Sequence, residues 1–374
     1  MELEKLKVAI VHDWLVNYGG AERVVETMLE MFPQADIYTL VYDEKKMGKS
    51  FPKEKVKTTF IQKIPKATKL YTKLLPLMPL AFEELDLTNY DLVISSSSCC
   101  AKGVITSPNT LHISYVHSPM RYIWDLYYDY KKKSNFLVKV FMTIFSKSLR
   151  VWDVTSSKRI DIVITNSNYI KKRIKKCWGI DSEVVYPPVE IEKYYPNGKE
   201  AEDFYVVFSR FVAYKRIDLA IEACKELNRK LIVIGDGEER ENLKKLADNN
   251  KNIIFTGRIS DEEVRDYLQR CKAMIFCAEE DFGIIPVEVQ ACGRPVIAYG
   301  KGGALETVID GKTGVFFKKQ EKESVKGAIL EFEKKNFKVE DILENSKKFS
   351  KSIFKEKLIR IIEENYEKIV ISEK

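Results

Sequence analysis

The chain has 374 residues, 45% of them hydrophobic and 31% charged, with a net charge of +7. That length is too great for one ordinary doubly wound unit and comfortable for two domains, and the balance of residues excludes a disordered or membrane-embedded chain. Seven cysteines with no Cys-x-x-Cys pair, and only His12, His112 and His117, argue against a disulfide framework or a multi-histidine site, so no metal is expected and a cytoplasmic location fits.

The charged start and the short apolar run Val8 to Val11 do not make a signal peptide. The most apolar long stretch, Phe136 to Phe145, is broken by Lys139 and falls short of the roughly 20 residues that span a bilayer. In chain order, Val8 to Val11 reads as a strand, Ala21 to Phe32 as a helix, and Ile37 to Val41, Leu92 to Ser95, Ile113 to Val116 and Ile162 to Thr165 as further strands, the last followed by helix Tyr169 to Cys177. Pro187, Pro188 and Pro196 then interrupt the pattern, which places an inter-domain linker there.

The second half repeats the scheme. Strands Tyr205 to Phe208, Leu231 to Ile234, Ile253 to Phe255, Met274 to Cys277, Pro295 to Ala298 and Val315 to Phe317 alternate with helices. Helix Asp261 to Cys271 opens on Ser260 and Glu263 at capping-box spacing. Strands alternating with helices imply two doubly wound α/β domains with parallel sheets, over 1–186 and 201–350, joined by a linker over 187–200 and followed by a terminal helical segment over 351–374. In such folds ligands sit at the carboxyl ends of strands, so the loops after Phe208, Ile234, Phe255 and Cys277 are where chemistry is expected.

Gly19-Gly20, between the first strand and its helix, would let a backbone approach an anion at a helix N-terminus, and equally fits a plain tight turn. No G-x-G-x-x-G is present, and Gly48-Lys49-Ser50 and Gly311-Lys312-Thr313 both lack the leading glycine of a P-loop. His117-Ser118-Pro119-Met120-Arg121 follows a strand end, where a histidine can hold a sugar hydroxyl and an arginine an anion, although a lone histidine is more often structural.

Arg210 and Lys215 share the loop after Phe208, where two cations could neutralise a diphosphate or simply meet solvent. In Glu280-Asp281-Phe282-Gly283-Ile284-Ile285-Pro286-Val287-Glu288, one carboxylate lies on a loop and the other about a turn into a helix opened by Pro286. On spacing alone, two glutamates in a chain rich in lysine and glutamate mean little.

Charge is uneven: Lys53 to Lys73 holds seven lysines and one acid, and Lys131 to Arg150 six basic residues and no acid. These fit a solvated lysine face, or, interleaved with Leu74, Phe136, Val140, Phe141 and Phe145, a surface for anionic lipid head groups. Nucleic acid is not expected, because no binding motif accompanies the charge.

Taken together, Gly19-Gly20-Ala21-Glu22, His117-Ser118-Pro119, Arg210 with Lys215, Phe282 to Glu288 and Ala291 to Ala298 resemble the retaining glycosyltransferase family 4. The resemblance implies the GT-B architecture, two Rossmann-like domains facing across a cleft, with the last helix returning to the first domain. It implies that Arg210 and Lys215 bind a donor diphosphate, that Glu288 holds the ribose, and that Glu280 contacts the transferred sugar with the amides of Phe282, Gly283 and Ile284. Backbone from Gly257 to Ile259 would meet the base, His117 the donor sugar, and Gly20 the phosphates or acceptor; Asp13, Gly19 and Arg121 fall on the acceptor side.

Within the family, Val11 to Leu15, His117 to Asp125 and Gly302 to Val308 look most like bacterial O-antigen and exopolysaccharide mannosyltransferases. The implied donor is GDP-mannose, with no other cofactor, and the implied acceptor a polyprenyl-linked or other glycan at the inner face of the cell membrane. Other UDP- or dTDP-sugar donors, a nucleotide-sugar epimerase, a phosphorylase or a non-catalytic sugar-nucleotide binder remain open on the residues alone.

Overall fold

The computed structural model describes residues 3–371; residues 1–2 and 372–374, at the ends of the first and last expected segments, lie outside them. The chain divides into two compact units, residues 1–188 with 354–374, and residues 189–353.

The first unit is built on a seven-stranded parallel sheet: β1 (Val8–His12), β2 (Asp36–Thr39), β3 (Val56–Thr58), β4 (Leu92–Ser97), β5 (Leu111–Val116), β6 (Ile162–Thr165) and β7 (Glu183–Val184), in the order β3-β2-β1-β4-β5-β6-β7. Its strands alternate between two apolar cores: Val8, Ile10, Leu92 and Ile94 enter one, and Ala9, Val11 and Val93 the other. Two-sided burial is why these strands are continuous apolar runs in the sequence. The edge strands β3 and β7 escaped the sequence pattern, because a half-exposed Val-Lys-Thr and a two-residue strand carry little apolar signal.

Helix Lys351–Tyr366 closes one face of this sheet, with Phe354, Leu358, Ile361, Ile362 and Tyr366 buried in the same core as Val8 and Ile10. That spacing is the 3–4 residue repeat of one helix face.

The second unit carries six parallel strands: β8 (Tyr205–Phe208), β9 (Leu231–Ile234), β10 (Ile253–Gly257), β11 (Ala273–Phe276), β12 (Val296–Tyr299) and β13 (Gly314–Phe317), in the order β10-β9-β8-β11-β12-β13. Tyr205, Val207, Leu231, Val233 and Ile275 face one core; Val206, Ile232, Ile234, Met274 and Phe276 face the other. The capping box on helix Asp261–Arg270 is formed, with Ser260 and Glu263 each bonding the other's backbone amide.

Residues 189–200, expected as part of a linker, are bound into the second unit. Val189 donates to the Phe349 carbonyl at 3.0 Å, Gln269 and Arg294 donate to the carbonyls of Tyr195 and Lys199 at 2.6 and 2.9 Å, and Tyr194 packs on the core. The prolines stop a helix there, but the freed carbonyls find side-chain donors.

In the first unit the long helix Phe136–Ser157 is fastened by a buried charge pair. Lys102 Nζ lies 2.9 Å from Asp153 Oδ1 and donates to Ser156 Oγ at 2.8 Å, and both charged side chains are at most 1% exposed. The other Asp153 oxygen accepts from the indole N–H groups of Trp124 (2.7 Å) and Trp178 (2.6 Å), while the ammonium faces the rings of Trp152 and Trp178. Removing the Asp153 carboxylate leaves the ammonium buried without a counter-charge and two indole N–H groups without their acceptor. Asp153→Ala should therefore destabilise the first unit by about 3–5 kcal/mol in urea unfolding; a loss below about 1 kcal/mol would show that water or rearrangement replaces the carboxylate.

Candidate active site

In the second unit, strand order reverses between β8 and β11, so their connections leave on opposite faces and a crevice opens at their carboxyl ends. The loop after β8 contains Arg210 and Lys215; the loop after β11 contains Glu280. The two loops meet in an ion pair between Lys215 Nζ and Glu280 Oε1, with the side chains 12% and 22% exposed. Lys215 also lies 5.1 Å from the centre of the Tyr214 ring. Arg210 is exposed, and its guanidinium pairs with no described residue.

Glycines fix both loops. Gly235, at φ +130°, and Gly237 lie so close to the carbonyls of Ser209 and Phe211 that a methyl group on either would overlap them. Phe211 N–H donates to Asp236 O at 2.9 Å, and Gly235 N–H to Gly257 O at 3.0 Å, which ties the loops after β8, β9 and β10 together. Gly302, at φ +64°, and Gly303 lie in the same way against Glu280 and Phe282, with Gly303 N–H donating to Glu280 O at 2.8 Å. Sequence reasoning missed these four supports; two Gly-x-Gly or Gly-Gly pairs directly after strands were the available signal.

Helix Ile284–Ala291 starts two residues before the proline expected to open it. Gly283 is its N-cap in the left-handed region at φ +90°, and no side chain caps it. The amides at this helix start are therefore offered outward, beside Glu280. Phe282 anchors the loop with its buried ring against Phe349, centroids 5.4 Å apart. Glu288 is 1% exposed, so of the two glutamates only Glu280 presents its carboxylate openly. Gly257, at φ +74°, has only Arg240 Nη2 near the position a Cβ would take, at 4.0 Å, and Ile259 packs on the core behind it.

In the first unit, β1, β4 and β5 bring His12, Ser96 and His117 side by side. Ser96 Oγ is 3.1 Å from His12 Nδ1 and 2.8 Å from His117 Nε2. Burial at the strand end, with His12 nearby, pushes the His117 imidazole down to about 3. Gly19 caps helix Gly20–Met31 with extended backbone, Gly20 is exposed, and the half-buried Arg121 bonds Ser118 Oγ at 3.4 Å.

Asp13, expected on the acceptor side, is 2% exposed, and its two oxygens accept from the amides of Ser98, Cys99, Cys100 and Ala101 at 2.6–2.9 Å. A carboxylate so committed holds the loop after β4 and has little left to offer a ligand.

Two doubly wound parallel domains, the second with a charged crevice at its strand-order reversal, define the GT-B class of fold. Solved structures agree in fold: Anabaena HepE in complex with UDP has a TM-score of 0.69 at 17% identity, covering 96% of this chain and 100% of that one, and sucrose-phosphate synthase of Thermosynechococcus elongatus 0.70 at 16%, covering 97% and 99%.

The family model for Glycosyltransferase Family 4 matches residues 18–193, and that for Glycosyl transferases group 1 matches residues 191–349. An uncharacterised glycosyltransferase of Methanocaldococcus jannaschii is 31% identical over 56% of this chain and 60% of its own length. A second from the same organism is also matched over 60% of its length, so the chain spans about 60% of these two relatives. The alpha-1,3/1,6-mannosyltransferase ALG2 of Saccharomyces cerevisiae is 26% identical over 82% of this chain and 72% of its own. The chain therefore carries a glycosyltransferase family 4 domain over residues 18–193 followed by a glycosyl transferases group 1 domain over residues 191–349.

Removal of the Asp13 carboxylate separates its two roles. Asp13→Ala leaves four loop amides without their acceptor and should cost about 3 kcal/mol of stability, read as a clear fall in Tm. An unchanged Tm with weakened acceptor binding would return Asp13 to the acceptor side.

Proposed function

We propose that the protein is a retaining glycosyltransferase that moves a hexose, mannose from GDP-mannose, onto a lipid-linked glycan in O-antigen or exopolysaccharide assembly. The observation that carries this reading is the Lys215–Glu280 pair at the β8/β11 reversal, beside the unpaired Arg210 and an uncapped helix start. An arriving diphosphate competes with Glu280 for Lys215. Its displacement frees the Glu280 oxygens to accept hydrogen bonds from sugar hydroxyls, so one exchange of partners recognises both halves of a sugar nucleotide. Arg210, Lys215 and the helix amides then stabilise the charge that gathers on the leaving phosphate as an acceptor hydroxyl attacks the anomeric carbon.

No protein nucleophile enters this scheme, and the two cations Arg210 and Lys215 fill the role that a divalent metal plays elsewhere. Retention follows from attack on the face the phosphate leaves, with the phosphate taking the acceptor proton. Gly257 to Ile259 are assigned to the base, Glu288 to the ribose, His117 and Arg121 to substrate hydroxyls or anions, and Gly19 and Gly20 to the phosphates or acceptor.

Support for a mannosyl donor comes from relatives named as mannosyltransferases, including a GDP-mannose-dependent alpha-(1-6)-phosphatidylinositol monomannoside mannosyltransferase of Mycolicibacterium smegmatis, 30% identical over 41% of this chain and 48% of its own. A second reading, a UDP-sugar donor, is favoured by structures of Anabaena HepE with UDP and UDP-glucose.

The membrane reading rests on helix Phe136–Ser157. Phe136, Leu137 and Ile144 are 76%, 77% and 62% exposed, and Lys139 and Lys147 lie among them. Apolar side chains standing out of a segment without acids, Lys131 to Arg150, suit an anionic bilayer. Among the described residues no helix is long and apolar enough to cross a membrane, so attachment would be peripheral.

Donor consumption measured in EDTA across GDP-mannose, UDP-glucose, UDP-GlcNAc and dTDP-rhamnose tests the reading. One donor should be cleaved slowly without metal, and Lys215→Ala should lower turnover at least about 100-fold, with Glu280→Gln also impaired. Near wild-type turnover in Lys215→Ala would remove the pair from the site; binding without turnover, even with lipid-linked acceptor present, would leave a binding protein, and an acceptor-independent epimer an epimerase. In vesicle sedimentation, the doubly substituted Phe136→Glu, Leu137→Glu protein should lose affinity for anionic vesicles by about tenfold or more while its Tm holds; equal binding by both proteins would end the membrane assignment of this helix.

A further inference from the structure

Gly19-Gly20-Ala21-Glu22 and Val11-His12-Asp13 stood out in the sequence, yet the proposed function uses neither Glu22 nor His12. Both are buried, at 7% and 3% exposure, and both belong to a chain of contacts that ends on His117. Glu22 Oε1 lies 3.4 Å from His12 Nε2; His12 Nδ1 lies 3.1 Å from both the carbonyl oxygen and the Oγ of Ser96; Ser96 Oγ lies 2.8 Å from His117 Nε2.

The proton positions follow from what each partner can accept. A carbonyl oxygen only accepts, so His12 Nδ1 carries a proton. A carboxylate also accepts, so His12 Nε2 carries one too, which makes His12 an imidazolium paired with Glu22 and with the Asp13 carboxylate nearby. Burial alone would lower the His12 proton affinity, but the contacts with Glu22, Asp13 and the Ser96 carbonyl outweigh it and raise the value above that of a free histidine. Ser96 Oγ, facing an N–H on the His12 side, directs its own hydrogen at the remaining partner, His117 Nε2. An Nε2 that accepts leaves the His117 proton on Nδ1.

We propose that His12 and Ser96 are positioning residues that lock His117 as the neutral Nδ1–H tautomer, with Glu22 holding the second proton on His12, so that His117 serves as a fixed hydrogen-bond donor to a sugar hydroxyl and not as a general base. The use of that donor rests on the glycosyltransferase reading; the tautomer itself does not. No described residue bonds His117 Nδ1, and the His117 backbone is held in place by Asn166 Nδ2 on its carbonyl at 3.1 Å and by its own amide on Ser97 O at 2.9 Å. The strands supply the register: His12 stands opposite Ser96 across β1 and β4, and His117 follows directly on β5.

The chain contains only three histidines, so selective 15N-histidine labelling and a long-range proton–nitrogen spectrum would resolve every imidazole. In the full-length protein at about pH 6, His12 should be doubly protonated and His117 neutral with its proton on Nδ1. Ser96→Ala should release His117 into a mixture of tautomers and lower kcat about tenfold, with the donor KM within about twofold. Glu22→Gln should lower the pH at which His12 gives up its second proton and leave the His117 tautomer unchanged.

A wild-type His117 with its proton on Nε2 overturns the proposal, as does an unchanged Nδ1–H signal in Ser96→Ala. If Ser96→Ala does not fold, the wild-type spectrum alone decides. Because the spectrum needs no substrate, its failure leaves the transferase reading standing, and a failed donor screen leaves the spectrum's result intact.

Discussion

A parallel sheet whose strand order reverses cannot cover its own carboxyl edge at the reversal. The connections leaving β8 and β11 depart to opposite faces, which leaves a crevice between them. Everything that gives the second unit a chemical character is a consequence of that gap. The loops that border it bring Lys215 to Glu280, and they hold position because Gly235, Gly237, Gly302 and Gly303 let neighbouring backbones approach more closely than any Cβ would allow. A flexible loop could carry the same side chains, but it would not hold two opposite charges against each other at an open strand edge.

The two sheets use the same topological opportunity differently. In the first unit the reversal falls between β1 and β4, and there the carboxylate after β1 is consumed by the fold: Asp13 gathers four amides and closes the loop after β4. Beside it the strand ends carry the polar line from Glu22 to His117, and the one imidazole nitrogen left over faces away from the line. The second unit keeps its charges partly open; the first buries its charges and orients a neutral group. Buried polar groups cost too much to leave unpaired, so each of these side chains has a determinate partner.

A similar economy supports helix Phe136–Ser157. Its inner side is tied by Lys102 and Asp153 among three tryptophans, while its outer side leaves Phe136, Leu137 and Ile144 in solvent. A helix that exposes this much apolar surface gains nothing from water on that side, so its place in the fold depends on the buried charge pair and on the packing around it.

Much of this was legible in the chain itself. The strands of the second unit are bounded within a residue or two by their apolar runs, because a parallel strand covered on both faces needs apolar side chains at every position. Ser260 and Glu263 announced a helix start because a capping box is local, and the loops bearing Arg210, Lys215 and Glu280 were identifiable as strand ends. The sequence did not determine which carboxylates were available: Asp13, Glu22, Glu280 and Glu288 have the same chemistry on paper. One is spent on amides, one on an imidazole, one pairs with lysine at an open edge, and one is enclosed. Nor could it reveal that Gly283 and not Pro286 sets the start of a helix, that residues 189–200 are laid onto the second unit, or that Ser96 joins two histidines. His12 and Ser96 lie 84 positions apart, and no periodicity along a chain carries information about partners that only the register of neighbouring strands brings within hydrogen-bond distance.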